Sequence, residues 1–280
     1  RLVAGKSFDA VVDFAAFEGR EVAAAVESLA IGHYVFVSTG QVYLVREGCP
    51  RPARESDYDG PVMPRPADAH DGEEWDYGAG KRACEDVLAA ATGFPSTRVR
   101  IPVVNGERDP SRRLESYLWR ILDGGPVLLP DGGGHRLRHV YGADVAHAIV
   151  DLLGERRTFG QAYNLANDET PTLAELVALL ARLLGAPLRA SNVPADRVLA
   201  AGLTPRGVSP FSSAWQSFLD PARAKRELGW SATPLEVQMA SIVASFLAGA
   251  PTQPPDGYAT RSRELELAGA EAPSRTCEPG

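Results

Sequence analysis

Lysine is nearly absent from this 280-residue chain: Lys6, Lys81 and Lys225 are the only three among 29 basic residues. No apolar run approaches the roughly 18–20 residues that a membrane-crossing helix needs, so no membrane partner is expected. Cysteine is scarce too, and Cys49, Cys84 and Cys277 are odd in number and far apart. That spacing argues against a disulfide framework and for reduced thiols in a cytoplasm, and no secretory leader is visible. Positive charge is in deficit, with a formal net charge of −7. A nucleic-acid partner therefore receives no general electrostatic help, and no basic stripe is present to bind one. A metal site is also missing from the pattern. His135 and His139 are four apart, but Gly132-Gly133-Gly134 before them and the β-type run Arg138-His139-Val140-Tyr141 after them argue against a helical ligand pair, so no metal is expected. Those three glycines follow Pro130-Asp131 and read as a flexible turn rather than a phosphate cradle. With 44% apolar and 23% charged residues, the composition is that of an ordinary globular chain with one large core and a smaller lobe.

Against the scarcity of lysine, Tyr77-Gly78-Ala79-Gly80-Lys81 stands out. A helix is expected over Trp75 to Ala91, ended by Gly93-Phe94-Pro95. Side chains four apart on a helix share one face. An ammonium there favours tyrosinate and lowers a phenol pKa from about 10 towards the range useful for proton transfer. The bland alternative is a surface lysine beside a packed tyrosine. Upstream, Tyr34-Val35-Phe36-Val37 reads as a buried parallel strand ending in Ser38, Thr39 and Gly40. Hydroxyls at the carboxyl end of such a strand sit where open α/β sheets bind ligands. Residues 44–73, with Pro50, Pro52, Pro61, Pro64 and Pro66, read as a long loop, either a substrate cover or a partly disordered segment.

Strand, Ser38-Thr39-x-x-Val42-Tyr43, then Tyr77-x-x-x-Lys81 is an order that resembles the extended short-chain dehydrogenase/reductases, the NAD-dependent epimerase/dehydratase family. Further segments keep that family's order: Asp9-Ala10-Val11-Val12-Asp13-Phe14-Ala15-Ala16, Val99 to Gly106, Val140-Tyr141-Gly142-Ala143-Asp144-Val145-Ala146, and Asp220 to Trp230. The resemblance spans about residues 8–247. It implies Tyr77 as acid/base, Lys81 as its electrostatic partner and a contact of the nicotinamide ribose, and Thr39 as the hydroxyl on the reacting substrate oxygen. It further implies NAD or NADP against Ala15, Ala16, Ser38 and Pro102, with a small-molecule substrate near Gln41, Asn105, Arg136 and Arg138. A homodimer through helices at 18–29 and 75–91 also follows from the resemblance. Two departures bear on a nucleotide-sugar substrate. Val103 and Leu137 stand where relatives often carry a sugar-diphosphate-binding Asn and Arg, although Arg136 and Arg138 flank the second. A third departure concerns the cofactor, because no Gly-x-x-Gly-x-x-Gly turn precedes Phe8.

The expected fold is α/β: a Rossmann-like, doubly wound parallel sheet, apparently without its first strands, and a smaller C-terminal α/β lobe. Residues 1–105 form the dinucleotide-binding part with 139–166 returning to it, residues 106–138 and 167–249 form the substrate lobe, and 250–280, rich in Pro, Gly and charge, form a flexible tail. Asp144 is expected to cap a helix and Arg100 to pair with a carboxylate. The leading functional reading is an NAD(P)-dependent epimerase, dehydratase or reductase. The alternative is a non-catalytic binding or scaffold protein without the glycine-rich turn, and RNA binding, known among some relatives, is disfavoured by the acidic balance.

Overall fold

Short apolar runs alternating with Ala-rich segments give, in the computed structural model, an α/β chain described over residues 6–249 and 251–269. Its strands are β1 (Ser7–Phe8), β2 (Val11–Asp13), β3 (Ala30–Ile31), β4 (Tyr34–Thr39), β5 (Ser96–Ile101), β6 (Val104–Asn105), β7 (Val127–Pro130), β8 (Val140–Tyr141), β9 (Ala162–Asn164) and β10 (Ala190–Val193). The helices are α1 (Gly19–Ser28), α2 (Gln41–Leu44), α3 (Ala69–Ala90), α4 (Arg113–Leu122), α5 (Gly142–Leu152), α6 (Leu173–Leu184), α7 (Ala195–Ala200), α8 (Pro205–Val208), α9 (Ala222–Leu228), α10 (Leu235–Gly249) and α11 (Arg261–Leu267). Two compact units result. The first takes the chain up to Val104 with Arg138–Asp168 and Trp215–Thr233; the second takes Asn105–Leu137, Glu169–Ala214 and the chain from Pro234.

The first unit is built on a wholly parallel sheet of order β2-β4-β5-β9. Val11 is opposite Tyr34, Tyr34 opposite Ser96, and Arg98 opposite Ala162. All six residues of β4 are buried, as a strand covered on both faces requires. Tyr34 and Phe36 pack with Val22, Cys84 and Leu88 of α1 and α3 on one face. Val35 and Val37 pack with Val99, Ile149 and Tyr163 on the other, towards α5. Each such side chain contributes about 1.5–3 kcal/mol on burial. Segment 215–233, expected in the substrate lobe, belongs to this unit because Ala224 and Trp230 are buried in that second cluster.

Helix α3 begins at Ala69, not Trp75, so Tyr77 lies in its third turn. The Asp68 side chain accepts from Asp71 N at 3.0 Å and starts the helix two residues after the last proline. The 45–68 segment is ordered. Ala53 N donates to Phe218 O and Asp220 N to Ala53 O, each at 2.8 Å, and Met63 N donates to Val45 O at 2.9 Å. Asp144 does not cap the helix that carries it: its carboxylate accepts from Thr233 Oγ1 at 2.7 Å and Thr233 N at 2.8 Å. Arg100 meets its expected carboxylate in Glu85, at 2.6 Å.

In the second unit β7 and β10 pair in parallel over a core of Leu128, Val193, Val198, Leu203 and Val208. Helix α6 starts with a Thr172–Glu175 capping box and ends at Gly185, whose φ of 66° suits glycine. The expectation of a flexible tail from 250 needs correction over 251–269. Arg261, Glu264 and Leu265 of α11 are buried, and Glu264 pairs with the fully buried Arg120 at 2.6 Å. Ion pairs rather than an apolar stripe hold this segment, so hydrophobic periodicity gave no sign of it. The remainder of that expected tail, 270–280, lies outside the described residues. Among the described residues no helix is long and apolar enough to cross a membrane.

Candidate active site

Strand β4 ends at Thr39, which is 8% exposed, and Gly40 turns the chain into α2. The turn has no room for a side chain at Gly40, where a Cβ would lie 2.2 Å from Ser217 Oγ. Helix α3 lies across this strand end, and Gly78 and Gly80 permit the approach. A Cβ at Gly78 would sit 2.8 Å from Gln41 O, and one at Gly80 only 2.3 Å from Phe17 O. The Tyr-Gly-Ala-Gly-Lys sequence therefore places Tyr77 and Lys81 against the sheet by removing intervening side chains.

Tyr77 is 37% exposed, with its phenol near the Thr39 hydroxyl. Burial pushes the phenol above its ordinary pKa; the Thr39 hydroxyl opposes the rise and the Glu74 carboxylate adds to it. This corrects the expected lowering by Lys81. The lysine is 2% exposed, and its Nζ donates to Val37 O at 3.0 Å between the rings of Phe17, 4.9 Å away, and Phe36, 4.7 Å away. Burial lowers the Lys81 pKa, while Cys84, Asp13 and Glu85 act against that. The ammonium is thus turned onto β4 and against the ring of Phe17, which also meets that of Tyr77 at 5.9 Å.

Sequence reasoning missed Glu74 and Phe17. Glu74 accepts a hydrogen bond from Gln41 Nε2, leaving the buried Gln41 Oε1 without a partner. Its signal was its place three residues before Tyr77 on one helix; Phe17 had no signal beyond following Ala15-Ala16.

The remaining candidates fall in different places. Ala15 is exposed and Ala16 buried after β2, with both backbone amides bound by Asp13 Oδ1, at 2.7 and 3.0 Å. Ser38 does not offer its hydroxyl to a cofactor: Oγ donates to Glu85 Oε1 at 2.5 Å on the α3 side of the strand. Pro102 is buried directly after β5. Arg138 reaches the segment that packs on Gly40, donating to Leu219 O at 2.8 Å. Asn105 and Arg136 belong to the second unit, where Arg136 donates to Thr170 O at 2.8 Å. Leu137, in place of the family's arginine, is core at 2% exposure. His135 and His139 lie in different units, and among the described residues no cluster suits a metal.

A dinucleotide makes two demands here. Its nicotinamide–ribose half meets suitable groups in Thr39, Tyr77 and the nearby Lys81 ammonium. Its pyrophosphate half needs a helix start with free amides. At α1, which follows β2, Glu21 Oε2 already accepts from Phe17 N at 2.7 Å and Glu18 N at 3.0 Å. Those amides are taken, so this helix start offers them to no phosphate, and among the described residues the fit is seen at the nicotinamide end.

The sequence profile of the NAD dependent epimerase/dehydratase family matches residues 3–166. The chain belongs to this family. No curated protein sequence matches the chain. Among solved structures, dTDP-glucose 4,6-dehydratase from Streptomyces venezuelae, with NAD and TYD bound, is similar at a TM-score of 0.63 and 21% identity, over 89% of this chain and 75% of that one. UDP-glucose 4-epimerase from Thermotoga maritima, with UDP-glucose, is similar at a TM-score of 0.63 and 18% identity, over 87% and 78%. UDP-glucuronic acid 4-epimerase from Bacillus cereus, with UDP-glucuronic acid and NAD, gives 0.60 and 16%, over 82% and 66%. At these identities the likeness shows the shared Rossmann-like parallel fold, as the sequence led us to expect.

Proposed function

We propose that Thr39, Tyr77 and Lys81 form the reaction centre of an NAD- or NADP-dependent epimerase, dehydratase or reductase acting on a hydroxyl or carbonyl carbon of a sugar. The observation that carries this reading is that the Thr39 hydroxyl, at the carboxyl end of β4, is near enough to the Tyr77 phenol to act on its pKa. When bound, the nicotinamide supplies hydride exchange. The chain's own residues handle the proton. Thr39 orients the reacting oxygen, and Tyr77, neutral in this burial, holds the proton that the oxygen receives or gives up. Lys81 stabilises the tyrosinate once it leaves Val37 O. Gln41 and Glu74, beside the Tyr77 turn, line the substrate side, and Arg138 extends it. The named relatives act on or bind nucleotide sugars, which supports a nucleotide sugar as substrate. A homodimer through α1 and α3 and a cytoplasmic location complete the reading; the free thiols Cys49 and Cys84 support the latter.

A second reading, a binding or scaffold relative, is favoured by Lys81 held on Val37 O and by the α1 start whose amides Glu21 takes. Calorimetric titration with NAD and NADP separates the two. The enzyme reading expects saturable binding that Lys81→Ala weakens about tenfold or more, as loss of a charged hydrogen-bond partner does. Absence of heat from either dinucleotide supports the scaffold.

A further inference from the structure

Outside the Tyr77 cleft, the first unit contains a cavity of about 630 Å³ lined by five arginines, Arg54, Arg98, Arg100, Arg223 and Arg226, against three carboxylates. Arg98 and Arg100 alternate along β5, so both side chains leave the sheet on the face where Arg100 meets Glu85 of α3. The other walls are residues 54–59, the start of β9 and the start of α9. No residue of the Thr39–Tyr77–Lys81 centre lines it.

Two of these arginines have an evident structural task. Arg100 grips Glu85 through Nε at 3.0 Å and Nη2 at 2.6 Å, and donates to Tyr43 OH at 2.6 Å. Arg223 donates to Glu227 Oε2 at 3.0 Å, Gln161 Oε1 at 2.6 Å and Ala162 O at 3.2 Å. Arg98 differs. Its Nη2 donates to Gly160 O, its buried Nε has no partner, and among the described residues no carboxylate pairs with it. Burial holds its pKa below the ordinary guanidinium value. Arg98 is partly buried, and the carboxylate that acts on it most, Glu85, is already held by Arg100 and Ser38, so an anion in the cavity would complete it. At the mouth, Arg54 and Arg226 are 72% and 66% exposed, each on a single surface carboxylate, Asp220 at 3.4 Å and Glu227 at 2.8 Å. Such exposed pairs contribute little and exchange partners readily. Burial also raises the pKa of Glu55, another lining residue, which makes that wall less anionic.

We propose that this cavity is a second binding site, for the phosphoryl group of a small phosphorylated molecule, with Arg98 as its anchor. A phosphoryl group presents three acceptor oxygens, enough for the guanidinium groups of Arg98, Arg54 and Arg226. The cavity volume, within the 300–1,000 Å³ or so usual for small-molecule sites, accommodates a polar body beyond the phosphate.

Calorimetric titration of the chain with inorganic pyrophosphate at low ionic strength tests this. Saturable one-to-one binding is expected, weakened at least about tenfold by Arg98→Gln, as loss of a charge-assisted bond does, and unchanged by Lys81→Ala. The double variant Arg54→Glu/Arg226→Glu, confined to exposed positions, should weaken binding to a similar degree and decides the matter if Arg98→Gln does not fold. No binding, or binding lost with Lys81→Ala and retained in the arginine variants, overturns the proposal.

Discussion

Tyr77 and Lys81 were legible as residues, but their mutual action was not. Helical spacing puts both on one face of α3, yet Lys81 Nζ takes the Val37 carbonyl beneath Phe17. A sequence cannot show which of two nearby acceptors wins, nor that an aromatic from the turn after β2 will cover a lysine. Phe17→Ala should lower the Tyr77 pKa, because it uncovers the phenol and frees the ammonium to approach it. Ring-carbon NMR titration of tyrosine-labelled protein reads the shift. The double variant Phe17→Ala/Lys81→Ala should retain only the part due to uncovering, and equal shifts in both variants would mean that Lys81 plays no part.

Among the elements, β4 was plain from its apolar run. The start of α3 was missed because Tyr77 was read as the first turn, whereas Asp68 is the capping residue. Strand β10 was missed as well: Ala190-Ser191-Asn192-Val193 carries one buried apolar side chain and exists by pairing with β7. The joint between α3 and the sheet is the Glu85–Arg100 pair, with Glu85 0% and Arg100 2% exposed and Ser38 Oγ on the same carboxylate. Glu85→Gln leaves a buried guanidinium without its counter-charge. It should cost about 3–5 kcal/mol, read as a lower denaturation midpoint. A loss under about 1 kcal/mol would place the joint elsewhere.

For the whole molecule, the order of motifs predicted a parallel α/β sheet, and the sheet is parallel throughout. The assignment of 215–233 and the docking of 251–269 were hidden because long-range burial and ion pairing, not local pattern, decide them. Stability should depend on pH through His33. It is fully buried, its Nδ1 accepts from Gly154 N at 3.1 Å, its Nε2 meets Thr97 Oγ1 at 2.9 Å, and burial lowers its pKa from 6.5. A depressed histidine pKa means that the folded state binds fewer protons, so stability is present above about 6.5 and lost as pH falls below it. The melting temperature should drop between roughly pH 7 and pH 5, and His33→Gln should flatten that dependence; an unchanged slope would exclude His33 as its source.

The central claim is that Tyr77 moves the proton. The most direct measurement is NAD-dependent turnover of UDP-glucose and dTDP-glucose by the wild-type chain and Tyr77→Phe, with NAD affinity measured alongside. The account predicts about a 10²-fold or greater loss of turnover with NAD affinity nearly intact, because the phenol oxygen alone is removed. Wild-type turnover that survives Tyr77→Phe within a few-fold would contradict it.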